Sequence, residues 1–352
     1  MDLTAPAVAE TEHFDSPSKI DQIATRLASL IQNSNHFIVF TGAGVSTSAG
    51  IPDFRGPEGA WTKRAQGKEL EFKASATLEA VPTPTHMALV ALQEQGLLKE
   101  YCKDCGKEYI RDFRAVSTYE KSYSDHRTGR KCSVPTCNGF LHDTIINFGE
   151  DLPEQAFSLA ADHAKKADLC LVLGSSCRVT PANSIPEAVG RAKKARLAIC
   201  NLQSTPLERI ADKTLRAHAR TDDLMTRIMG KLGIEIPRFI LRRRLVIEMQ
   251  SQRSDRHQIK VFGVDVDGTP VSFIQSVKLE GSRRALKTEP FVLSLREELD
   301  VGAAVKLELE FMGHYGEPNL VIEHEYAGEG SGAKLYLLEY DPLTKEWRPK
   351  HE

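Results

Sequence analysis

The chain has 352 residues, which at roughly 150 residues per domain corresponds to about two domains. Its 46 Lys and Arg nearly balance its 48 Asp and Glu, so no global field draws it to nucleic acid or to an anionic membrane. An apolar fraction of 41% excludes general disorder. No apolar run approaches the roughly 18 residues of a spanning helix, and the N-terminus lacks a secretory signal, so we expect a soluble intracellular protein.

The predicted elements alternate between helices and short buried strands over the first two thirds of the chain. Residues 1–16 are small and polar and predict a flexible tail. Apolar residues from Ile20 to Ile31 recur at helical spacing, with Ser18 as the expected N-cap. Three short apolar runs predict buried parallel strands: residues 37–40, 168–173 and 196–201. This rhythm predicts a doubly wound, Rossmann-like α/β domain over residues 17–237.

After Gly233 the pattern changes to alternating or β-branched segments that are separated by turn signals. These segments are residues 245–249, 259–266, 271–274, 305–311, 320–324 and 335–340. None has the length and period of a long helix, so residues 238–352 are predicted to form an antiparallel β-sandwich-like domain. No chemistry is evident in this domain, and its predicted role is either to bind a protein partner or to serve as a structural appendage.

A glycine-rich loop, residues 41–50 with the sequence TGAGVSTSAG, directly follows the first predicted strand. Glycines at such a turn let the backbone approach a pyrophosphate, whose charge is met by N–H groups at the start of the next helix. The third glycine follows Gly44 by six residues, whereas the dinucleotide-binding fingerprint has it three residues on. The glycines alone therefore leave a plain tight turn as the alternative.

The continuation of this loop over residues 51–61, IPDFRGPEGAW, makes the pattern far more specific. Three later blocks follow in order: residues 84–89 (PTHMAL), residues 173–181 (LGSS and VTP) and residues 200–203 (CNLQ). Together they resemble the sirtuins, the NAD-dependent protein-lysine deacylases, and in particular their nuclear branch. The resemblance covers roughly residues 18–236.

The resemblance implies NAD as the cofactor and places its site at the carboxyl ends of the predicted strands, where ligands of open α/β sheets bind. The implied residues are Gly42, Ala43, Gly44, Ser46 and Thr47 at the phosphates and ribose, Asp53, Phe54, Arg55 and Trp61 around the nicotinamide end, Gly174 and Ser176 at a second strand end, and Asn201 and Gln203 at the adenine ribose.

The cysteines indicate a metal site as well as core positions. Two close pairs, Cys102-x2-Cys105 and Cys132-x4-Cys137, are separated by 26 residues. Four thiolates at this spacing can bind one Zn²⁺ tetrahedrally and leave no open position, which predicts a structural zinc module at about residues 100–145, unless the thiols are unrelated. The sirtuins carry such a module in this region. The other cysteines are expected to be buried core residues: Cys170, Cys177 and Cys200.

One segment of the family is missing between Lys99 and Cys102. There the family has a strand, a Gln-Asn-x-Asp turn that contacts NAD, and a His-Gly pair that carries the catalytic base. None of the 11 His of this chain is followed by Gly, so the catalytic residue is unknown. In the family's reaction the His activates a ribose hydroxyl, so that the acyl group passes from lysine to ADP-ribose and nicotinamide is released. A positioned base typically contributes about 10²–10⁴-fold, so we expect deacylase turnover to be severely impaired.

Substrates, partners and location are also implied by the resemblance. It implies acyl-lysine protein substrates such as histones, association with chromatin, a nuclear location and no membrane contact. Short basic runs at residues 191–196 and 242–244 could serve nuclear import or contact phosphates, but a solvated surface is the better explanation of each. Two alternatives to a deacylase stay open. One is a catalytically inactive NAD- or partner-binding scaffold, arising from a splice form or an incomplete gene model, and the other is a mono-ADP-ribosyltransferase that uses the same pocket.

Overall fold

The structure is a computed structural model. It describes residues 10–68, 80–93, 98–102, 108–111, 126–132, 134, 136–266, 268–313 and 315–351. The chain divides into two compact units. The first comprises Met1–Lys99, Glu120–His126 and Thr144–Arg238, and the second comprises Glu100–Tyr119, Arg127–Asp143 and Phe239–Glu352.

Helices and strands follow one another along the chain. The helices are α1 (Pro17–Asn33), α2 (Ala60–Ala65), α3 (Pro84–Gln93), α4 (Glu154–Lys166), α5 (Ser184–Arg191) and α6 (Thr221–Leu232). The strands are β1 (Phe37–Thr41), β2 (Leu98–Cys102), β3 (Glu108–Arg111), β4 (Arg127–Lys131), β5 (Phe140–Asp143), β6 (Leu169–Leu173), β7 (Arg196–Cys200), β8 (Arg216–Ala217), β9 (Leu241–Arg253), β10 (Arg256–Val264), β11 (Ile274–Leu279), β12 (Phe291–Leu295), β13 (Ala304–Phe311), β14 (Leu320–Glu325), β15 (Gly330–Asp341) and β16 (Glu346–His351).

The first unit is built on a parallel sheet of four strands in the order β1-β6-β7-β8. Strand β6 is buried along its whole length because both of its faces are covered. Its Leu171 and Leu173 pack with α1, α3 and α6 on one face. Its Cys170 and Val172 pack on the other face, in a cluster that includes residues of α4 and α5. Helices on both faces of a parallel sheet confirm the predicted doubly wound α/β class.

Helix α1 begins earlier than the sequence pattern indicates. The side chain of Ser16, rather than the expected Ser18, caps the helix by accepting a hydrogen bond of 3.3 Å from the Lys19 N–H. Pro17 then occupies the first turn, where its missing N–H has no intrahelical partner to lose. The predicted cap is therefore wrong by two positions, whereas the predicted buried stripe, including Ile20, is present.

The stretch before α1, predicted to be a flexible tail, is described from residue 10 onward. The His13 N–H donates to the Leu202 carbonyl at 3.0 Å, and the Asp15 N–H donates to the His218 carbonyl at 2.8 Å. The Asp15 carboxylate accepts the His218 N–H in return at 2.8 Å. These bonds fix the end of the stretch to the loops that follow β7 and β8.

The C-terminal part of the second unit consists of two antiparallel sheets. Five strands pair in the order β12-β10-β9-β15-β16, and three pair in the order β11-β13-β14. Alternate residues of β9 are buried, as expected for a sheet with one covered face. Leu245 of β9, Val277 of β11 and Leu307 of β13 belong to one apolar core, so the two sheets form the predicted sandwich.

A small antiparallel sheet, in the order β3-β2-β5-β4, forms where the zinc module was predicted. Its register pairs Cys102 with Leu141 and Lys131 with Phe140. Strands β2 and β4 therefore flank β5, and the last residue of each lies opposite one of the first two residues of β5.

Among the helices that the structure describes, none is long and apolar enough to cross a bilayer.

Candidate functional site

A cavity of about 620 Å³ opens at the carboxyl ends of the parallel strands of the first unit. Its walls come from the loops after β1, β6, β7 and β8 and from the stretch before α1. Six of the predicted cofactor-binding residues line it: Gly44, Thr47, Asp53, Gly174, Asn201 and Gln203. The volume falls within the range of small-molecule and cofactor sites, roughly 300–1,000 Å³.

The glycines after β1 let two loops approach each other closely. The Gly44 N–H donates to the Gly174 carbonyl at 2.9 Å. A Cβ atom added to Gly42 would lie 2.6 Å from the Gly174 carbonyl oxygen, and one added to Gly44 would lie 2.8 Å from the Gly174 Cα. Gly174 itself has a φ of +59°, which disfavours other residues. The glycines are thus required by contact between the β1 and β6 loops, and Gly44 and Gly174 also expose backbone to the cavity.

The loop from Asp53 to Trp61 folds back on itself at the rim of the cavity. Its backbone is closed by bonds of 2.9 Å from the Ala60 N–H to the Asp53 carbonyl and from the Trp61 N–H to the Phe54 carbonyl. The Asp53 carboxylate accepts the Gly56 N–H at 3.0 Å. Burial raises the pKa of Asp53, although this hydrogen bond and the nearby Arg55 offset part of the effect.

Predicted site residues that do not line this cavity fall into two groups. Gly42, Ala43 and Ser46 lie in the β1 loop next to the lining residues Gly44 and Thr47. The others form an adjoining cluster: Phe54, Arg55, Trp61 and Ser176.

In the adjoining cluster, a cation lies over an aromatic ring. The guanidinium carbon of Arg55 is 4.5 Å from the centroid of the Trp61 ring, and its Nη1 donates to the Ser176 Oγ at 3.1 Å. Phe148, which sequence reasoning did not single out, completes the cluster, because its ring centroid lies 5.0 Å from those of both Phe54 and Trp61. A single Phe in the loop after β5 carries no periodic signal that identifies it.

The loop after β7 is held by one buried arginine, which the sequence reading also missed. Arg216 donates through Nη1 to the Asn201 carbonyl and through Nη2 to the Gln203 carbonyl, both at 2.9 Å. Its Nε contacts both oxygens of the Glu208 carboxylate at 3.0 Å. Burial raises the pKa of Glu208, but the hydrogen bonds from Arg216 and from the Thr205 N–H outweigh it, so that the pKa is lowered overall. These hydrogen bonds hold the backbone carbonyls of Asn201 and Gln203, and with them the loop beside the cavity, in place.

Several charged side chains line the cavity. Glu58 and Lys63 form an ion pair of 2.7 Å. Asp222, at the start of α6, accepts hydrogen bonds from the Ser48 hydroxyl and from the Thr85 N–H. The charges of Glu58, Lys63 and Asp222 are therefore paired with other side-chain or backbone groups of the protein.

The four predicted zinc ligands are only partly described. Cys105 lies outside the described residues, as does the side chain of Cys102. Cys132 is 8% exposed, and its Sγ accepts a weak hydrogen bond from the Val134 N–H at 3.5 Å. Cys132 and Cys137 share a small apolar cluster with Leu141 and Val134. Within the described part of the chain, no group of three or more His, Cys, Asp and Glu side chains is arranged for metal binding.

The remaining cysteines are core residues, as predicted. Cys170, Cys177 and Cys200 are all at most 2% exposed. Burial raises the pKa of the Cys170 and Cys200 thiols to about 12 and that of Cys177 to about 11. They are therefore inert thiols at neutral pH.

Several known proteins are similar to this chain. A model of the Sir2 family matches residues 95–181. The NAD-dependent protein deacetylase SRT1 of Arabidopsis thaliana is 34% identical over 330 residues, which is 82% of this chain and 68% of that protein. Sirt6 of Drosophila melanogaster, also named an NAD-dependent protein deacetylase, is 31% identical over 65% of this chain and 81% of its own length. A solved structure of Sir2 with a p53 peptide and NAD⁺ is 28% identical, covers 60% of this chain and 98% of that chain, and has a TM-score of 0.42.

Proposed function

Because this chain belongs to the sirtuin (Sir2) family, we propose that its α/β unit binds NAD in the strand-end cavity and that its function is NAD-dependent removal of acyl groups from protein lysine. The observation that carries the proposal is the convergence of residues distant in sequence on one cavity. Asp53 lies in the segment after β1, Gly174 follows β6, and Asn201 and Gln203 follow β7, yet all line the same 620 Å³ cavity.

The chemistry of the cavity suits a dinucleotide. Gly44 and Gly174 expose backbone without a side chain, which permits close approach of a pyrophosphate. Asn201 and Gln203 line the cavity, and the Asn201 Nδ2 donates to the Gln203 carbonyl at 2.9 Å and to its Oε1 at 3.3 Å, which preorganises the two side chains to meet ribose hydroxyls. NAD, when bound, supplies the ADP-ribose that accepts the acyl group. The cluster of Arg55, Phe54 and Trp61 adjoins the cavity through Asp53 and is proposed to form the nicotinamide end.

A second function is favoured by one specific observation. The sequence contains no His-Gly pair, and none of its His residues lies in the family's catalytic context. His86 serves a local role, because its Nδ1 accepts the Thr83 N–H at 3.2 Å. We therefore propose a catalytically inactive NAD-binding scaffold as the alternative function of this chain.

Zinc binding is proposed as a separate structural function of the small sheet. The register sets Cys102 and Lys131, the neighbour of Cys132, on opposite sides of β5 at the same end. An N–H donated to a cysteine sulfur, as from Val134 to Cys132, is also suited to a thiolate ligand.

Histone substrates, chromatin association and a nuclear location are further proposals that follow from family membership. Imaging of the tagged chain in cells tests the location.

The decisive experiment incubates the purified full chain with NAD and an acetyl-lysine histone peptide, and follows both binding and products. Calorimetry measures NAD binding, and mass spectrometry measures nicotinamide, O-acetyl-ADP-ribose and ADP-ribosylated protein. Asn201→Ala should abolish binding, whereas Asn319→Ala, on the β-sandwich, should not.

Each outcome separates the proposals. Nicotinamide with O-acetyl-ADP-ribose supports deacylation by a base other than the family's His. NAD binding without products supports the scaffold. ADP-ribosylated protein points to the transferase, and absence of NAD binding contradicts all three functions.

A further inference from the structure

Beside the loop after β7, the cavity carries a carboxylate that comes from the far end of the sequence. Glu12 lines the cavity, and its Oε1 accepts a hydrogen bond of 3.1 Å from the Gln203 Nε2. The Asn201 Nδ2 donates in turn to the Gln203 Oε1 at 3.3 Å and to the Gln203 carbonyl at 2.9 Å. A chain of three polar side chains therefore runs along the cavity wall and ends at Glu12.

The position of Glu12 is fixed by contacts of the residues on both sides of it. The neighbouring His13 N–H is bonded to the Leu202 carbonyl, within the loop that carries Gln203. Two residues before Glu12, the Glu10 carboxylate pairs with Arg178 at 2.7 Å. Three residues after it, Asp15 is bonded to the His218 backbone in both directions. Glu12 is thus presented to the cavity by an anchored segment.

The charges around Glu12 bear on which ligand it accepts. Burial and the Asp53 carboxylate raise the pKa of Glu12, and Arg220 offsets part of this. The carboxylates of Glu12 and Asp53 repel a further anion placed beside them, whereas each of their oxygens accepts a hydrogen bond from a neutral hydroxyl. A sugar diol is neutral and can donate hydrogen bonds to a carboxylate. A phosphate ester at the same position is negatively charged and acts as an acceptor.

We propose that Glu12 is a cofactor-binding residue whose carboxylate accepts hydrogen bonds from the ribose hydroxyls of the adenosine half of NAD and discriminates against NADP. The proposal rests on the proposed function, because it requires NAD in the cavity. The general logic is that of a dinucleotide-binding fold, in which an acidic side chain binds the 2′-hydroxyl and an extra phosphate is rejected by charge. Here the acid comes from the segment before the first helix instead of from the end of a strand.

The test measures dissociation constants of NAD and NADP by calorimetry for the full chain and for Glu12→Gln. Loss of a charged hydrogen-bond acceptor should weaken NAD binding about tenfold or more. Removal of the repulsion should also strengthen NADP relative to NAD by at least about tenfold. Glu10→Gln removes the same charge from the same segment and breaks its ion pair with Arg178, so it tests the anchoring alone, and the ratio of NAD to NADP affinity should then change less than about twofold.

The possible results are distinct. If wild type binds NAD and Glu12→Gln leaves the NAD-to-NADP ratio unchanged, the role of Glu12 is wrong while the proposed function stands. Equal losses in Glu12→Gln and Glu10→Gln would reduce the effect to anchoring of the segment and overturn the proposal. Tighter NAD binding by Glu12→Gln would mean that the carboxylate competes with the cofactor, which also overturns it. If wild type binds no NAD, the proposed function and this inference both fail.

Discussion

The contact between the β1 and β6 loops predicts a specific order of stability among glycine variants. Gly174 and Gly50 both have positive φ, +59° and +84°, and both line the cavity. An added Cβ at Gly174 would lie 2.6 Å from the Gly44 carbonyl carbon, whereas one at Gly50 meets nothing within 4 Å. Gly50→Ala therefore isolates the backbone strain, and Gly174→Ala adds the steric conflict.

The expected magnitudes follow from these two terms. A left-handed conformation costs an L-residue roughly 1–2 kcal/mol, partly offset by a less flexible unfolded chain, so Gly50→Ala should lose about 1 kcal/mol. Overpacking adds about 1–3 kcal/mol, so Gly174→Ala should lose about 2–4 kcal/mol. Gly42 is extended, with a φ of -135°, and an added Cβ would lie 2.6 Å from the Gly174 carbonyl oxygen, so Gly42→Ala should show the steric cost alone.

Urea unfolding followed by tryptophan fluorescence measures these losses. Of the chain's two tryptophans, Trp61 lies in the first unit and Trp347 in the second. In a Trp347→Phe background, Trp61 alone reports the unfolding of the α/β unit, which avoids mixing two transitions. Equal free energies of unfolding for Gly174→Ala and Gly50→Ala would refute the argument, because the close approach of the two loops would then impose no steric requirement.

Three further predictions concern a buried ion pair, a carboxylate and the zinc module. Glu208→Gln leaves the buried Arg216 without its charged partner and should cost about 2–3 kcal/mol in urea unfolding, less than for a fully buried pair because Glu208 is 34% exposed, together with weaker NAD binding. Asp168 has a pKa lowered to about 2, chiefly by the Ser34 hydroxyl, from an ordinary 3.8. Its contribution is fully present above the unfolded pKa of 3.8 and is lost as the pH falls through 2, so Asp168→Asn should lose about 1 kcal/mol at pH 7, after discounting for solvent, and little once the pH is well below 2. If the proposed zinc site exists, elemental analysis should find one zinc per chain, which Cys132→Ala should abolish and Cys170→Ala should retain.

Three of the four strands of the parallel sheet, β1, β6 and β7, were predictable because they are short, mostly apolar runs. Strand β6 is buried on both faces, so each of its residues is apolar or Cys and the run is visible without an alignment. The sandwich was predictable for the complementary reason, because burial of one face imposes alternation on strands such as β9. In both cases burial acts on consecutive residues and leaves a local pattern.

The features that sequence reasoning missed depend on contacts between distant residues. Strand β8 has only two residues, which is too short for a period. Arg216 lies on it and bonds to carbonyl groups of the loop after β7, which places no demand on the residue types of that loop. Glu12 lies in a polar stretch whose composition indicates a tail, and only tertiary hydrogen bonds give it a position. The glycines were predicted correctly as special, but the close approach of Gly44 to Gly174 was not visible in either loop alone.

The make-up of the cavity implies that cofactor binding and acyl transfer are separable in this chain. Its lining residues lie between Glu12 and Lys63 and between Gly174 and Asp222. The junction at Lys99 to Cys102, where we expect the family's turn and catalytic His to be missing, lies outside both ranges. Since the amides, the glycine contact and the Arg216 support come from the strand ends themselves, loss of the missing segment removes the base without removing this wall of the cavity. NAD affinity should therefore survive to a larger extent than turnover, and the two must be measured independently.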